Sequence, residues 1–234
     1  MNADSREGRS ATRRVGERSR RTLETRIEAR LDLNRRGRSR IDTGLAFLDH
    51  MIGAAVFHGG MTLDLRAQGD LDIDDHHTVE DCGLVFGSVI RDALGDREGI
   101  RRFGYAYAPL DEALARAVVD LSGRPFGKVD LGLRREMMGA VATENLTHFF
   151  ASLATAGGLT LHLDVIRGDN DHHRAEAAFK AFGLALAEAV AERSAAGVPS
   201  TKGVLGSGEL PAADVPAADV EEDAGAGALE TVSR

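Results

Sequence analysis

Two kinds of apolar periodicity run along the chain, and both recur in its first and second halves. Leu159, Leu161, Leu163 and Val165 alternate with polar neighbours, as in a half-buried strand. Leu23 to Leu33, Met61 to Leu65 and Ala113 to Leu121 read as further strands, and the turn Ser122-Gly123-Arg124-Pro125 ends the last of them. Leu84, Val85, Val89 and Leu94 fall instead on one helical stripe, and so do Phe179, Phe182, Leu186 and Val190. Gly95-Asp96 closes the first of these helices in the manner of a C-cap. Met51 to Val56 and Phe149 to Ala154 are shorter runs that also predict helix.

The doubling has its source in an internal repeat. Asp75-His76-His77-Thr78-Val79-Glu80 returns 96 residues later as Asp171-His172-His173-Arg174-Ala175-Glu176. Each copy follows an apolar segment, Leu71 and Ile73 in the first case and Leu159 to Val165 in the second. Each precedes one of the helical stripes. A further histidine stands upstream of each copy: His50 lies 26 residues before His76, and His148 lies 24 before His172. The expected fold class is α/β, in the α+β sense of two-layer halves: an internal duplication whose strand-and-helix units pack face to face around one core.

Composition narrows the picture. Hydrophobic residues make up 43% of the 234 and aromatics only 5%, with no tryptophan, so the core is expected to be aliphatic. No stretch approaches about 20 uninterrupted apolar residues, so no transmembrane helix is expected. No apolar signal-peptide core follows Met1. The single cysteine, Cys82, excludes an intramolecular disulfide and fits a cytoplasmic, reducing location. A net charge of −8 argues against a general nucleic-acid binder, which needs a basic surface, and no nucleic-acid or membrane partner is expected.

The charge is unevenly spread. Residues 1–21 carry Arg13, Arg14, Arg18, Arg20 and Arg21 among small polar residues and are expected to form a disordered basic arm. Residues 206–234, around Glu221, Glu222 and Asp223, have too few large apolar side chains to offset their ordering entropy and read as a disordered acidic tail. The working domain is then 22–205, in halves of about 22–110 and 111–205.

The repeated motif has the chemistry of a metal site. On a helix His76 and Glu80 share a face, while His76 and His77 point about 100° apart, so the paired imidazoles do not readily chelate one ion. Each motif therefore has ligands enough for two metal centres. Imidazole and carboxylate without thiolate suit Mn, Fe, Zn or Ni. The pattern is neither HExxH nor its inverse, so no metalloprotease is suggested. His50 and His148 join the candidate ligands because their placement repeats.

Several motifs in order resemble the imidazoleglycerol-phosphate dehydratase family: Thr43-Gly44, Phe47-Leu48-Asp49-His50-Met51, Gly69-Asp70-Leu71, Asp74 to Asp81, Ala93-Leu94-Gly95-Asp96 and Asp120 to Pro125. His148-Phe149-Phe150, Asn170 to His173, Ala178 to Phe182 and Pro199 to Gly203 continue the match over about 22–205. The resemblance implies dehydration of imidazole glycerol phosphate to imidazole acetol phosphate in histidine biosynthesis. It also implies a dimanganese site, helices packed between two mixed sheets, and a homo-oligomer of 24 chains whose neighbours share each metal site.

Residue by residue, the resemblance makes His50, His76, His77, Glu80, His148, His172, His173 and Glu176 metal ligands. It makes Glu24 the catalytic acid/base, and Arg102, Arg124, Lys180, Ser200, Thr201 and Lys202 the substrate-phosphate contacts, with His58 lining the pocket. Two positions depart from the family pattern: Ala54, where glutamine is usual, and Ala46, where glycine or proline is usual.

The carbon that must lose its proton has no carbonyl beside it, so the substrate imidazole is the activating group. The expected chemistry is an imidazolate bridging two metals, loss of the hydroxyl from the attached carbon to give a diazafulvene-like species, and proton removal by Glu24. Two other classes compete: a non-enzymatic metal storage or sensor module, and a di-metal phosphohydrolase.

Overall fold

The chain's first sheet grows from alternating side chains. In β1 (Val15–Arg21), β2 (Thr25–Asp32), β3 (Arg40–Asp42) and β4 (Thr62–Gly69), the residues turned inward include Ile27, Ala29, Leu31, Leu63, Leu65 and Ala67, all buried. Charged side chains alternate with them on the outer face. Helix α1 (Ala46–His58) lies between β3 and β4, and α2 (His76–Leu94) follows β4. The structure, a computed structural model, describes residues 14–193 together with residues 197, 200 and 205.

The same succession then repeats. Strands β5 (Phe103–Leu110), β6 (Ala113–Asp120) and β7 (Phe126–Asp130) precede a small ribbon, β8 (Met137–Met138) and β9 (Val141–Ala142). Helix α3 (Thr143–Gly157), β10 (Thr160–Arg167) and α4 (Asp171–Val190) complete the half. The sheets have matching orders, β1-β2-β4-β3 and β5-β6-β10-β7, each antiparallel except for its last, parallel pair. Helices α1 and α2 cover the first sheet and α3 and α4 the second, and α2 packs on α3 as α1 packs on α4. The layers are therefore sheet, helices, sheet, with the helices inside, as expected.

Close helix packing depends on small residues at corresponding places. A side chain at Gly87 would collide with the carbonyl oxygen of Leu153 on α3, and one at Gly183 with that of Ala55 on α1. Gly16 of β1 sits in the same way on Val89 of α2, and Gly104 of β5 on Ala185 of α4. Between the helices Phe149, Phe150, Phe179 and Phe182 are fully buried, with the Phe150 and Phe179 rings 4.5 Å apart. Each such side chain contributes about 1.5–3 kcal/mol through burial, so these few aromatics anchor a mostly aliphatic core. The C-cap expected at Gly95 is present: its φ is 54°, and its N–H donates to the carbonyl of Arg91.

Two expectations need correction. Residues 15–21 are not part of a disordered arm but form β1, paired along its whole length with β2. Backbone hydrogen bonds hold this edge strand, so its charged side chains can remain outside. The halves meet before β5, not near residue 110, because β5 pairs with β6 in the second sheet. Leu71 and Ile73 belong to no strand and are exposed, and the strand that precedes the first motif is β4. The rest of the expected arm, residues 1–13, and the expected tail, residues 206–234, lie outside the described residues. Among the described residues no helix is long and apolar enough to cross a membrane.

Candidate metal centre

Each motif opens a helix, which is why its side chains emerge together. The backbone N–H of His76 donates to Asp74 Oδ1 at 2.8 Å, and that of His172 to Asn170 Oδ1 at 2.9 Å. These bonds satisfy donors that a helix start leaves without intrahelical acceptors. The first histidine of each motif then shares a face with the glutamate four residues on. The second points elsewhere: the rings of His76 and His77 cross at 80°, and those of His172 and His173 at 89°.

The upstream histidines complete the groups, and they do so crosswise. His148 on α3 stacks on His76 of α2, with centroids 5.0 Å apart and planes at 21°. His148 Nε2 lies 3.3 Å from Glu80 Oε1, and His76 Nε2 lies 3.5 Å from Glu80 Oε2. His50 on α1 meets α4: its Nε2 is 3.2 Å from Glu176 Oε2, and His172 Nε2 is 3.1 Å from the same oxygen. Each cluster thus combines one histidine from one half with a His/Glu pair from the other.

The donor set fits a transition metal. Two ligand atoms bound at about 2.1 Å and at right angles to each other sit about 3.0 Å apart. The nitrogen–oxygen separations in both clusters are close to that, and each triplet offers ligand atoms all within 4.8 Å of one another. Three protein donors leave coordination positions for other ligands. The side chains of His50, His76, His148 and His172 are 42–51% exposed, so an outside ligand can reach them.

The clusters are not identical. Glu80 turns one oxygen to each of its histidines, whereas Glu176 turns one oxygen to both and gives the other to Lys180 Nζ at 2.7 Å. Burial would raise the Glu176 carboxyl, but the Lys180 hydrogen bond and charge and the bond to His50 draw it below its usual range. Lys180 and Glu176 also act on His58, whose imidazole is lowered first by burial and then by the Lys180 charge.

His77 and His173 stand outside these two clusters, and His173 forms a third group of possible ligands with Asp111 and Glu112. His77 Nδ1 lies 3.1 Å from Asp70 Oδ2 and 3.8 Å from Glu24 Oε2. His173 Nδ1 lies 2.8 Å from Glu112 Oε2, and its Nε2 is 3.8 Å from Asp111 Oδ2. Hydrogen bonds to Asp70 and Glu112 raise the two imidazoles above their ordinary values. Glu112 is drawn down to about 2, first by the Asn170 backbone N–H and then by His173. On the other side of the first motif, Asn145 Oδ1 lies 3.0 Å from His76 Nδ1. Asp70, Glu112 and Asn145 were not assigned roles from the sequence. Glu112 is 61 residues and Asn145 is 69 residues from the histidine it touches, so no local spacing marks them.

The candidate phosphate contacts fall into separate places. Arg102 grips Asp120 with Nε at 2.6 Å and Nη2 at 3.0 Å, and Arg124 Nη2 lies 3.6 Å from the same carboxylate. Lys180 stays with Glu176. Ser200 is half-buried. Thr201 and Lys202 lie outside the described residues.

Residues 43–186, more than half of the chain, match the family model described as Imidazoleglycerol-phosphate dehydratase. The chain belongs to the imidazoleglycerol-phosphate dehydratase family. The Candida glabrata protein of that name is 56% identical over 165 residues, which are 70% of this chain and 79% of that protein. The crystal structure of the Staphylococcus aureus dehydratase is similar with a TM-score of 0.69 at 38% identity, covering 76% of this chain and 99% of that one. The Pyrococcus furiosus structure, a complex with (S)-C348, gives 0.69 at 35% identity and covers 80% and 100%. Membership makes the protein a lyase, specifically a hydro-lyase, of histidine biosynthesis. All eight candidate ligands lie inside the matched region, whereas Glu24 and residues 200–202 lie outside it.

Proposed function

We propose that the protein dehydrates D-erythro-imidazole glycerol 3-phosphate to imidazole acetol phosphate and water, at sites built on the two crosswise clusters. The clusters are the observation that carries the proposal: two His/His/Glu groups, each drawn from both halves, in a chain of this family. Manganese is the proposed metal, with two ions per active site. When bound, it supplies Lewis acidity and a template for the imidazole ring.

The chain's own residues divide the remaining work. His50, His76, Glu80, His148, His172 and Glu176 are the proposed ligands within the clusters, and His77 and His173 the proposed ligands beyond them. Glu24 is the proposed acid/base. Its carboxylate takes the proton from the carbon beside the one that loses its hydroxyl, and its 3.8 Å approach to His77 supports a position at the rim of the ligand set. Arg102 and Arg124 offer planar forks to the phosphate, while Lys180 and Lys202 offer point charges. Ser200 and Thr201 add hydroxyls, and His58 lines the pocket.

The outward position of His77 and His173 supports a homo-oligomer, proposed here as 24 chains, in which these histidines complete clusters of neighbouring copies. The phosphate contacts support sharing too. The backbone of Arg102 bonds to that of Ala189, nine residues beyond Lys180 on α4 and so about 13 Å along the helix axis. We propose a cytoplasmic location.

Manganese-loaded protein incubated with imidazole glycerol phosphate tests the proposal when ketone formation is followed against phosphate release. Ketone supports the dehydratase. Free phosphate would point to a phosphohydrolase, and no turnover to a metal-binding module. His76→Ala and His172→Ala should each lose metal and activity together.

A further inference from the structure

The two halves can be compared position by position at the hairpins beside the motifs. In the first hairpin Arg21 pairs with Arg26, and in the second Pro109 pairs with Leu114. Glu24 lies two residues before Arg26, and Glu112 two residues before Leu114. Gly16 and Gly104, each packed on the backbone of a corresponding helix, fix the same register. Glu24 and Glu112 are therefore counterparts in the duplicated fold.

Their contacts differ. Glu112 Oε2 is 2.8 Å from His173 Nδ1, and its Oε1 accepts the backbone N–H groups of Asp169 at 3.1 Å and Asn170 at 2.8 Å. Glu24 comes only within 3.8 Å of His77 Nδ1, longer than a hydrogen bond. In the first half it is Asp70 that faces that nitrogen, with both oxygens, at 3.3 and 3.1 Å. An ionised carboxylate only accepts hydrogen bonds, so in each half the neutral imidazole carries its proton on Nδ1 and keeps the Nε2 lone pair free.

We propose that Asp70 and Glu112 are positioning residues that fix the Nδ1–H tautomer of His77 and His173 and so present Nε2 as the metal-binding nitrogen. The duplication has divided one job between different carboxylates. In the second half the hairpin glutamate orients its histidine. In the first, Asp70 has that task, which leaves Glu24 without a hydrogen bond to its histidine and available for proton transfer. The proposal rests on the metal reading given under Proposed function.

The two carboxylates predict opposite responses to amide replacement. In Glu112→Gln the single amide oxygen is held by two backbone donors, so the amide NH2 faces His173 Nδ1. That forces the proton onto Nε2 and blocks it as a ligand, while the turn itself stays intact. In Asp70→Asn the amide is free to turn its oxygen toward His77, and the correct tautomer survives.

The experiment measures the free manganese concentration at half-occupancy for the full chain, by equilibrium dialysis and metal analysis, together with thermal melting. Glu112→Gln should melt like wild type yet bind manganese about 10–100-fold more weakly, the usual effect of losing a partner that orients a ligand. Asp70→Ala should weaken binding similarly, and Asp70→Asn should recover most of the loss. Wild-type affinity in Glu112→Gln, or no recovery in Asp70→Asn, overturns the positioning proposal. His76→Ala and His172→Ala separate the two levels. If they bind manganese normally, the metal reading fails and this proposal with it. If they lose it while Glu112→Gln does not, the positioning proposal alone fails.

Discussion

His50 Nε2 stands 3.2 Å from Glu176 Oε2, although 126 residues separate the two along the chain. The contact joins the halves, because α1 belongs to the first and α4 to the second. His50→Ala should therefore empty the cluster of His172 and Glu176 and leave that of His76, Glu80 and His148 filled. His148→Ala should do the reverse. Metal analysis of the two variants, each retaining part of the wild-type manganese, checks the crosswise pairing; the double variant should retain almost none.

Glu24 is an exposed carboxylate near His77 and outside the clusters. Glu24→Gln should lower kcat by about 10²–10⁴-fold, the usual contribution of a general acid or base. Its manganese content should match wild type. Steady-state kinetics beside metal analysis separates this from ligand loss, and near-normal turnover would remove Glu24 from the mechanism.

Arg102 holds Asp120 through two nitrogens, with Arg124 beside it. Arg102→Lys replaces a planar fork with a mobile point charge. Loss of one charge-assisted hydrogen bond is worth about 1.5–3 kcal/mol, so KM should rise about tenfold or more while bound manganese stays unchanged. A KM that does not move would assign Arg102 to structure alone.

Helix packing sets how the clusters meet. Gly87→Ala and Gly183→Ala each press a methyl into the backbone of the facing helix and should cost about 1–3 kcal/mol of stability. Gly53→Ala meets only Ile41 Cδ1 at 4.0 Å and should instead stabilise α1 by about 0.5–1 kcal/mol. Denaturant melts of the three variants test the contrast.

The duplication was legible because its signal is local: two motifs six residues long, each opening an apolar stripe of helical period. The helices at Met51 to Val56 and Phe149 to Ala154 were legible for the same reason. Strand β5 was not. Its inward residues are Gly104, Ala106 and Ala108, while Tyr105 and Tyr107 face outward, so the large side chains mark the wrong face. Strand β1 was hidden by its arginines, since an edge strand held by backbone bonds needs little apolar patterning. The crosswise assignment of His50 and His148 was also hidden, because it follows from which helices pack together. That packing depends on contacts such as Gly87 with Leu153 and Gly183 with Ala55, far apart in sequence. Glu112 belongs to a turn and meets His173, 61 residues on, only once the second half has folded, whereas Asp70 is seven residues from His77 but carries no spacing that marks it as a partner.

Whether metal in the two clusters drives the dehydration is decided by stripping the protein with a chelator and titrating manganese back, with bound metal and ketone formation from imidazole glycerol phosphate measured on the same samples. Stripped protein should form no ketone, ketone should rise in step with occupancy of the two clusters, and no phosphate should be released. Full ketone formation without bound metal, or phosphate release in place of ketone, would contradict metal-dependent dehydration at the clusters.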